Sequence, residues 1–175
     1  SKDAAAIEAA AREADVTNGY ENGEQQVYLN GENVTASLRT EEAGNMASAT
    51  SIYPGVRRQL TALQKELAAR QNVVMDGRDI GTAVLPDAQL KIYLTASSHV
   101  RAVRRYEELK AKGVDSDLSV IEADIIARDQ RDMTREISPL CKAADAVEVD
   151  SSELTIDEVV ETVRKLYQER TGASV

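Results

Sequence analysis

The 175 residues include one cysteine, one histidine, three prolines and no phenylalanine or tryptophan. A lone Cys141 excludes an internal disulfide framework and suits a reducing cytoplasm. Beside Lys142 and with no His nearby to act as a base, it reads as a small buried hydrophobe, not a nucleophile. His99, without a matching His or Cys cluster, argues against a zinc site and reads as a surface residue near a helix start. With six tyrosines as the only aromatics, the core must be built from Leu, Ile, Val and Ala. No apolar run approaches the roughly 20 residues that a membrane-spanning helix needs. No signal peptide is visible. The chain starts at Ser1, without Met, just ahead of a helical pattern, which predicts that it is not a complete gene product. Positive charge is also short: the net charge is −9. That argues against a dedicated nucleic-acid binder and against docking on an anionic membrane. A local basic cleft for a small phosphate ligand is still allowed, because a cleft can differ in sign from the whole surface.

What is present is the profile of a soluble globular chain, 42% hydrophobic and 29% charged, long enough for one domain or one domain with a small insert. Residues 3 to 14 are Ala-rich and predict a helix. Asn18-Gly19, Asn22-Gly23 and Asn30-Gly31 then mark turns around a strand at Gln26-Val27-Tyr28-Leu29, predicting a small antiparallel sheet over 15 to 39. Thr40 starts a helix to about Ser48, and Pro54 opens the next, with Val56, Leu60, Leu63 and Leu67 at helical spacing. Apolar runs at 72 to 76, 90 to 94 and 146 to 149 predict strands. Helices are expected from Ser97 or Ser98 to Lys112, stopped by Gly113, and from 119 to about 132 with Ser119 and Glu122 as a capping box. A last helix opens on a second box, Thr155 with Glu158. Strands alternating with helices predict a parallel sheet with crossover helices. Three strands are few for this length, which points to a missing N-terminal part.

Two constellations carry candidate chemistry. Asp76-Gly77-Arg78-Asp79 follows a predicted strand, and open α/β sheets bind ligands at the carboxyl ends of their strands. A β-turn with surface charges accounts for it equally well. Arg128, Arg131, Asp132 and Arg135 fall at i, i+3, i+4 and i+7, one helical face if the helix continues. Like charges so spaced repel, and a phosphate would relieve them while accepting charge-assisted hydrogen bonds. The alternative is a solvated face screened by Asp129 and Asp132. Arg101, Arg104 and Arg105 form another basic face, with Glu107 and Glu108 at hand as i+3 and i+4 partners.

The run Val73-Val74-Met75-Asp76-Gly77-Arg78-Asp79-Ile80-Gly81-Thr82, then Val84-Leu85-Pro86-Asp87-Ala88, resembles the signature of bacterial cytidylate kinases. So do Arg128-Asp129-Gln130-Arg131-Asp132-Met133-Thr134-Arg135, Ser138-Pro139-Leu140 and Ala143-Ala144-Asp145-Ala146. Val34-Thr35 and Leu38-Arg39-Thr40 resemble the pyrimidine-side insert of that family. The resemblance runs through essentially the whole chain. It implies a P-loop NTPase-type parallel sheet flanked by helices, with a small antiparallel β insert. The core would be 1 to 14 and 49 to 175, the CMP-side insert 15 to 48, and an arginine-rich lid about 119 to 140. It further implies that Ser48, Arg57 and Asp79 read cytosine, whose amine and acceptors such side chains can match. By the same resemblance Arg78, Arg128 and Arg135 hold phosphate, Arg131 joins Arg78 and Arg128 in catalysis, and Asp132 recognises the sugar hydroxyl. Asp76 would hold Mg²⁺ through water, as Walker-B-type aspartates do.

The implied activity is transfer of the ATP γ-phosphoryl group to CMP or dCMP by a cytoplasmic monomer, with no nucleic acid or membrane as partner. UMP/CMP and AMP kinases are rivals, disfavoured by the insert and the Asp-Gly-Arg-Asp run. The sequence departs from the family in one respect: G-x-x-x-x-G-K-[ST] occurs nowhere in it. The N-terminal strand and P-loop are therefore expected to be absent, and the chain alone to be inactive or nearly so. A truncated module that binds CMP without catalysis is the alternative.

Overall fold

The computed structural model describes residues 3–173, and the chain divides into two compact units, Ser1–Val73 and Val74–Val175. In the first unit, α1 (Ala4–Glu13) is capped by the Asp3 carboxylate, which accepts from the Ala5 N–H at 3.0 Å. Strands β1 (Val16–Glu21), β2 (Glu24–Leu29) and β3 (Glu32–Asn33) form an antiparallel sheet in that order. Both connections are Asn-Gly turns with left-handed backbone: φ is 54° and 82° at Asn22-Gly23 and 52° and 82° at Asn30-Gly31. Positive φ at both central residues is what a two-residue hairpin needs. The third dipeptide is not a turn. Asn18 and Gly19 lie inside β1, opposite Val27 and Gln26, because the register set at Asn22-Gly23 carries the pairing straight through them.

Two helices complete this unit. Thr40 caps α2 (Glu41–Thr50), its hydroxyl accepting from the Ala43 N–H at 3.2 Å. Pro54 begins α3 (Pro54–Arg70). The α3 N-cap, Tyr53, offers no side-chain bond, and Glu8 of α1 fills that role from across the packing surface. Its carboxylate accepts from the Gly55 N–H at 2.6 Å, and a Cβ at 55 would overlap it. An anion at a helix N-terminus is favoured by the helix dipole.

In the second unit, β4 (Ile92–Thr95) and β5 (Val147–Asp150) pair in parallel, from Ile92 opposite Val147 to Thr95 opposite Asp150. Both start one or two residues later than their apolar runs predict. The run at 72 to 76 forms no strand. Among the described residues only β4 and β5 build this sheet, and Val74 is fully exposed. An apolar run has strand propensity, but a strand exists only where a neighbour takes its backbone hydrogen bonds. Helices α4 (Ser98–Ala111), α5 (Leu118–Thr134) and α6 (Ile156–Thr171) flank the pair. A π-helical turn, Ile80–Val84, buries Val84 completely. With Ala96, Ala102 and Val149, Val84 makes the small aliphatic core that the composition requires.

The helix ends follow local chemistry, with one shift. Gly113 terminates α4 with φ at 72°, and the Thr155–Glu158 capping box of α6 is fully formed. The expected Ser119–Glu122 box is not. Asp117 caps α5 instead, accepting from the N–H groups of Ser119 and Val120 at 2.7 and 3.2 Å. The Ser119 hydroxyl itself donates to Asp117, and Glu122 turns to His99 Nδ1 at 3.0 Å.

On α4, Glu108 lies between Lys112 and Arg105, whose hydrogen bonds lower its pKa to about 2, Lys112 having the larger effect. Since the folded value is the lower one, the interaction stabilises above the ordinary carboxylate pKa and is lost as pH falls toward 2. A carbon-detected NMR titration should place the Glu108 midpoint near 2, and Lys112→Ala should raise it only part of the way to 4.5, because Arg105 still lowers it.

Candidate functional site

Three arginines of the second unit converge on one carboxylate. Asp132, in the last turn of α5, is 3% exposed. The Arg78 Nε–H donates to its Oδ2 at 3.0 Å. Arg128 Nε stands 3.9 Å from the same oxygen, and Arg135 Nη1 stands 3.8 Å from Oδ1. Arg128 and Asp132 are one helical turn apart, as the spacing predicts. Arg78 arrives from the segment just before the π-helical turn, 54 positions earlier in the chain.

Arg135 reaches the cluster by another route than the predicted continuous face. The helix ends at Thr134, and Arg135 is its cap in extended conformation, with φ −64° and ψ 143°. The chain then folds back. The Arg135 Nε–H donates to the Ser138 carbonyl at 2.7 Å, and the Leu140 N–H donates to the Asp132 carbonyl at 2.8 Å. Ser138 has φ of 49°, a conformation uncommon outside glycine and asparagine, and it precedes Pro139. This hairpin of backbone holds the guanidinium against Asp132 with a side chain only 9% exposed. Spacing arguments did not find Ser138 and Leu140 as its supports; the only sequence signal is the Ser-Pro pair.

In the contacts described, three guanidinium groups approach the Asp132 carboxylate. Arg128 has its pKa lowered by burial first, then by the like charge of Arg78, against smaller opposing effects of Asp132 and, weaker still, Asp129. The Arg128 Nε atom is buried and has no hydrogen-bond partner. An unmet donor in a crowded cationic group is a standing cost that an anion with several acceptor oxygens removes. Phosphate matches the planar forks of arginine.

The other predicted residues are placed as follows. Asp79 is 8% exposed and its carbonyl accepts from the Ala83 N–H at 2.8 Å, anchoring the π-helical turn. Arg131 is exposed on α5, and the three basic contacts to Asp132 come from Arg78, Arg128 and Arg135. Asp76 is exposed. No group of three or more His, Cys, Asp or Glu among the described residues is arranged to hold a metal. A lone carboxylate nevertheless fits Mg²⁺, which keeps several waters and is carried largely by substrate phosphates. Ser48 on α2 and Arg57 in the first turn of α3 are half-buried and belong to the first unit, where the Ser48 carbonyl accepts from the Ser51 hydroxyl at 2.8 Å.

The second basic face is structural, with partners that only partly match expectation. Arg105 pairs with Glu108 at 2.9 Å as its spacing predicts. Arg104 donates to the Ser151 hydroxyl at 3.2 Å and to the carbonyls of Ser151 and Leu154 at 2.5 and 3.2 Å. Arg101 grips Asp129 on α5 with both terminal nitrogens, at 3.0 and 2.5 Å. The partners of Arg101 and Arg104 lie 28 and 47 positions away, beyond any local rule. His99 is on the surface as expected. Cys141 is exposed, not buried, because it follows the 138 to 140 fold-back on the outside of the unit's short core. No helix among the described residues is long and apolar enough to cross a membrane.

Comparison with known proteins gives the family. The cytidylate kinase family model matches residues 1–169. A cytidylate kinase of Ligilactobacillus salivarius is 52% identical over 147 residues, 84% of this chain and 66% of that protein. One of Lactobacillus gasseri is 49% identical over 150 residues, 86% of this chain and 65% of that protein. One of Bacillus licheniformis is 46% identical over 170 residues, 96% of this chain and 75% of that protein. The chain thus spans about two thirds of the length of the first two. With nearly its whole length matched by the family model, and with its arginines gathered on Asp132, the chain belongs to the cytidylate kinase family and has its α/β, P-loop NTPase-type fold.

Proposed function

We propose that this chain is the nucleotide-handling part of a kinase that moves the γ-phosphoryl group of ATP to CMP or dCMP. The observation that carries the reading is the Asp132 cluster, with three guanidinium groups gathered at one carboxylate and the unmet Nε donor of Arg128. Phosphoryl transfer asks a protein for position and for neutralised charge, not for covalent participation. Arg78, Arg128 and Arg135 supply both to phosphate oxygens, and Arg131, exposed one turn before Arg135, approaches the transferring group. Asp132 orients the guanidiniums and meets the sugar hydroxyl. Ser48, Arg57 and Asp79 read the cytosine edge. Residues 15 to 48 serve as the CMP-side insert, 1 to 14 and 49 to 175 as the core, and 119 to 140 as the lid. Mg²⁺, when bound with ATP, supplies charge neutralisation at the phosphates, and Asp76 holds it through water. The protein works as a cytoplasmic monomer on small nucleotides, without nucleic acid or membrane.

The 175 residues contain no G-x-x-x-x-G-K-[ST] loop to cradle the β- and γ-phosphates. The second reading, a module that holds CMP without turning it over, rests on that fact for the isolated chain. A titration tests CMP binding, and turnover separates the two readings. Calorimetric titration of the chain with CMP, and with AMP as control, is expected to show CMP binding at least about tenfold tighter, a difference of roughly 1.4 kcal/mol. Equal binding of both would remove the pyrimidine assignment. A parallel turnover assay with ATP should show little or no CDP, and turnover at the rate of the relatives named above would overturn the predicted inactivity of the isolated chain.

A further inference from the structure

We propose that Arg101 is a positioning residue that keeps the Asp129 carboxylate away from the arginine cluster, so that the charge of Arg128 stays available to an anionic ligand. Asp129 adjoins Arg128 on α5 and is one turn before Asp132. Its charge is felt by Arg128, but it gives that guanidinium no hydrogen bond. Both of its oxygens are taken by Arg101, whose Nη1 and Nη2 donate to Oδ1 and Oδ2 at 3.0 and 2.5 Å. The third donor of the same guanidinium, Nε–H, goes to the Ala96 carbonyl at 3.0 Å, just past the end of β4. Arg101 is therefore held at three points, and its planar fork is matched to the carboxylate in a way that lysine cannot reproduce.

The consequence falls on Arg128. Its Nε is buried without a hydrogen-bond partner, although Asp129 is the residue next to it. Of the two acidic neighbours, Asp132 is shared among three arginines and Asp129 is committed elsewhere. The pairing also ties α5 to the first turn of α4, where His99 Nδ1 adds a second contact, to Glu122 at 3.0 Å. One contact thus ties down the helix that carries Arg128 and Asp132 and keeps the Asp129 oxygens bonded to Arg101. The proposal deepens the phosphate-binding reading and rests on it only for the identity of the anion.

The test uses inorganic pyrophosphate and CMP, titrated calorimetrically into the full chain at low salt, with Arg101→Gln, Asp129→Asn and the double variant. Arg101→Gln releases the Asp129 carboxylate onto Arg128 and is expected to weaken pyrophosphate binding about tenfold. Asp129→Asn alone should bind as well as the parent or better. The double variant, which has lost the grip but also the competing charge, should recover to within about threefold. If Arg101→Gln does not fold, Arg101→Lys replaces it, with a weakening of about threefold again relieved by Asp129→Asn. A merely structural clamp predicts the opposite, with the double variant as weak as Arg101→Gln; that result, unchanged binding in Arg101→Gln, or no pyrophosphate binding by the parent chain overturns the proposal. The pyrophosphate pattern appearing without selective CMP binding would keep the proposal and discard the nucleotide reading.

Discussion

Asp132→Ala is expected to lower the stability of the chain by about 2–4 kcal/mol, seen as a fall of roughly 1–2 M in the urea midpoint. The carboxylate is nearly inaccessible and faces three guanidiniums at 3.0, 3.9 and 3.8 Å. Removing the one anion of a buried ionic group leaves charges that neither water nor protein compensates, which costs about 3–5 kcal/mol when every partner is buried. Two partners here are not: the side chains of Arg78 and Arg128 are 42% and 36% exposed, and water recovers part of the loss. Arg135, at 9%, recovers little. Asp132→Asn keeps an oxygen for the Arg78 Nε–H but not the charge, and should fall between the parent and the alanine variant. Arg131→Ala, on an exposed position of the same helix, should stay within about 0.5 kcal/mol of the parent. An Asp132→Ala midpoint equal to that of Arg131→Ala would mean that the guanidiniums are solvated one by one and do not form a unit. Because Asp132 is buried, 1 M salt should close only a small part of the gap.

The contrast between these two aspartate and arginine positions shows which parts of the molecule can be read without coordinates. Features set within three or four residues were legible: the Asn22-Gly23 and Asn30-Gly31 turns, Pro54 at the start of α3 and the Thr155–Glu158 box. Their energies are local, so a short window contains the cause. At Asp117 the competition between two caps two residues apart went to the stronger acceptor, which a spacing rule for Ser119 and Glu122 does not weigh. The run at 72 to 76 failed for a different reason, since strand formation is decided by a neighbour and not by the run. The site divides the same way. Arg128 with Asp132 was legible as an i, i+4 pair, Arg135 by spacing and Arg78 in the run after the expected strand, while their phosphate-holding role came only from the family resemblance. The meeting of Arg78 with Asp132 and the Arg101–Asp129 grip are tertiary, and no window short enough to read by eye holds both partners. The fold-back at Ser138 is local, three residues from Arg135, but it depends on a left-handed Ser138 that no propensity rule favours.

The largest functional effect is expected from Arg128→Ala combined with Arg135→Ala, tested in the protein as its cells make it. On the proposed function, kcat/KM for CMP should fall about 10²–10⁴-fold. Each guanidinium contributes charge-assisted hydrogen bonds worth about 1.5–3 kcal/mol to a phosphate oxygen, and 1.4 kcal/mol is a factor of ten. The two residues should not contribute in the same way. Arg128 has a buried Nε without a partner, so a ligand supplies its missing acceptor and its loss should raise KM. Arg135 already spends its Nε–H on the Ser138 carbonyl and is held near Asp132, which leaves its terminal nitrogens fixed in space. A donor that does not move before reaction is the kind that stabilises charge in the transition state, so its loss should appear mainly in kcat. Arg135→Lys, which keeps the charge without the planar fork, should recover only part of the rate. Added guanidinium ion should restore some turnover to Arg128→Ala, whose vacated volume opens to solvent on the exposed third of the side chain, and less to Arg135→Ala, whose site is closed. A double variant within about threefold of the parent would show that the arginines serve the fold around Asp132 and not the phosphates, and the stability loss in Asp132→Ala would then be the whole meaning of the cluster.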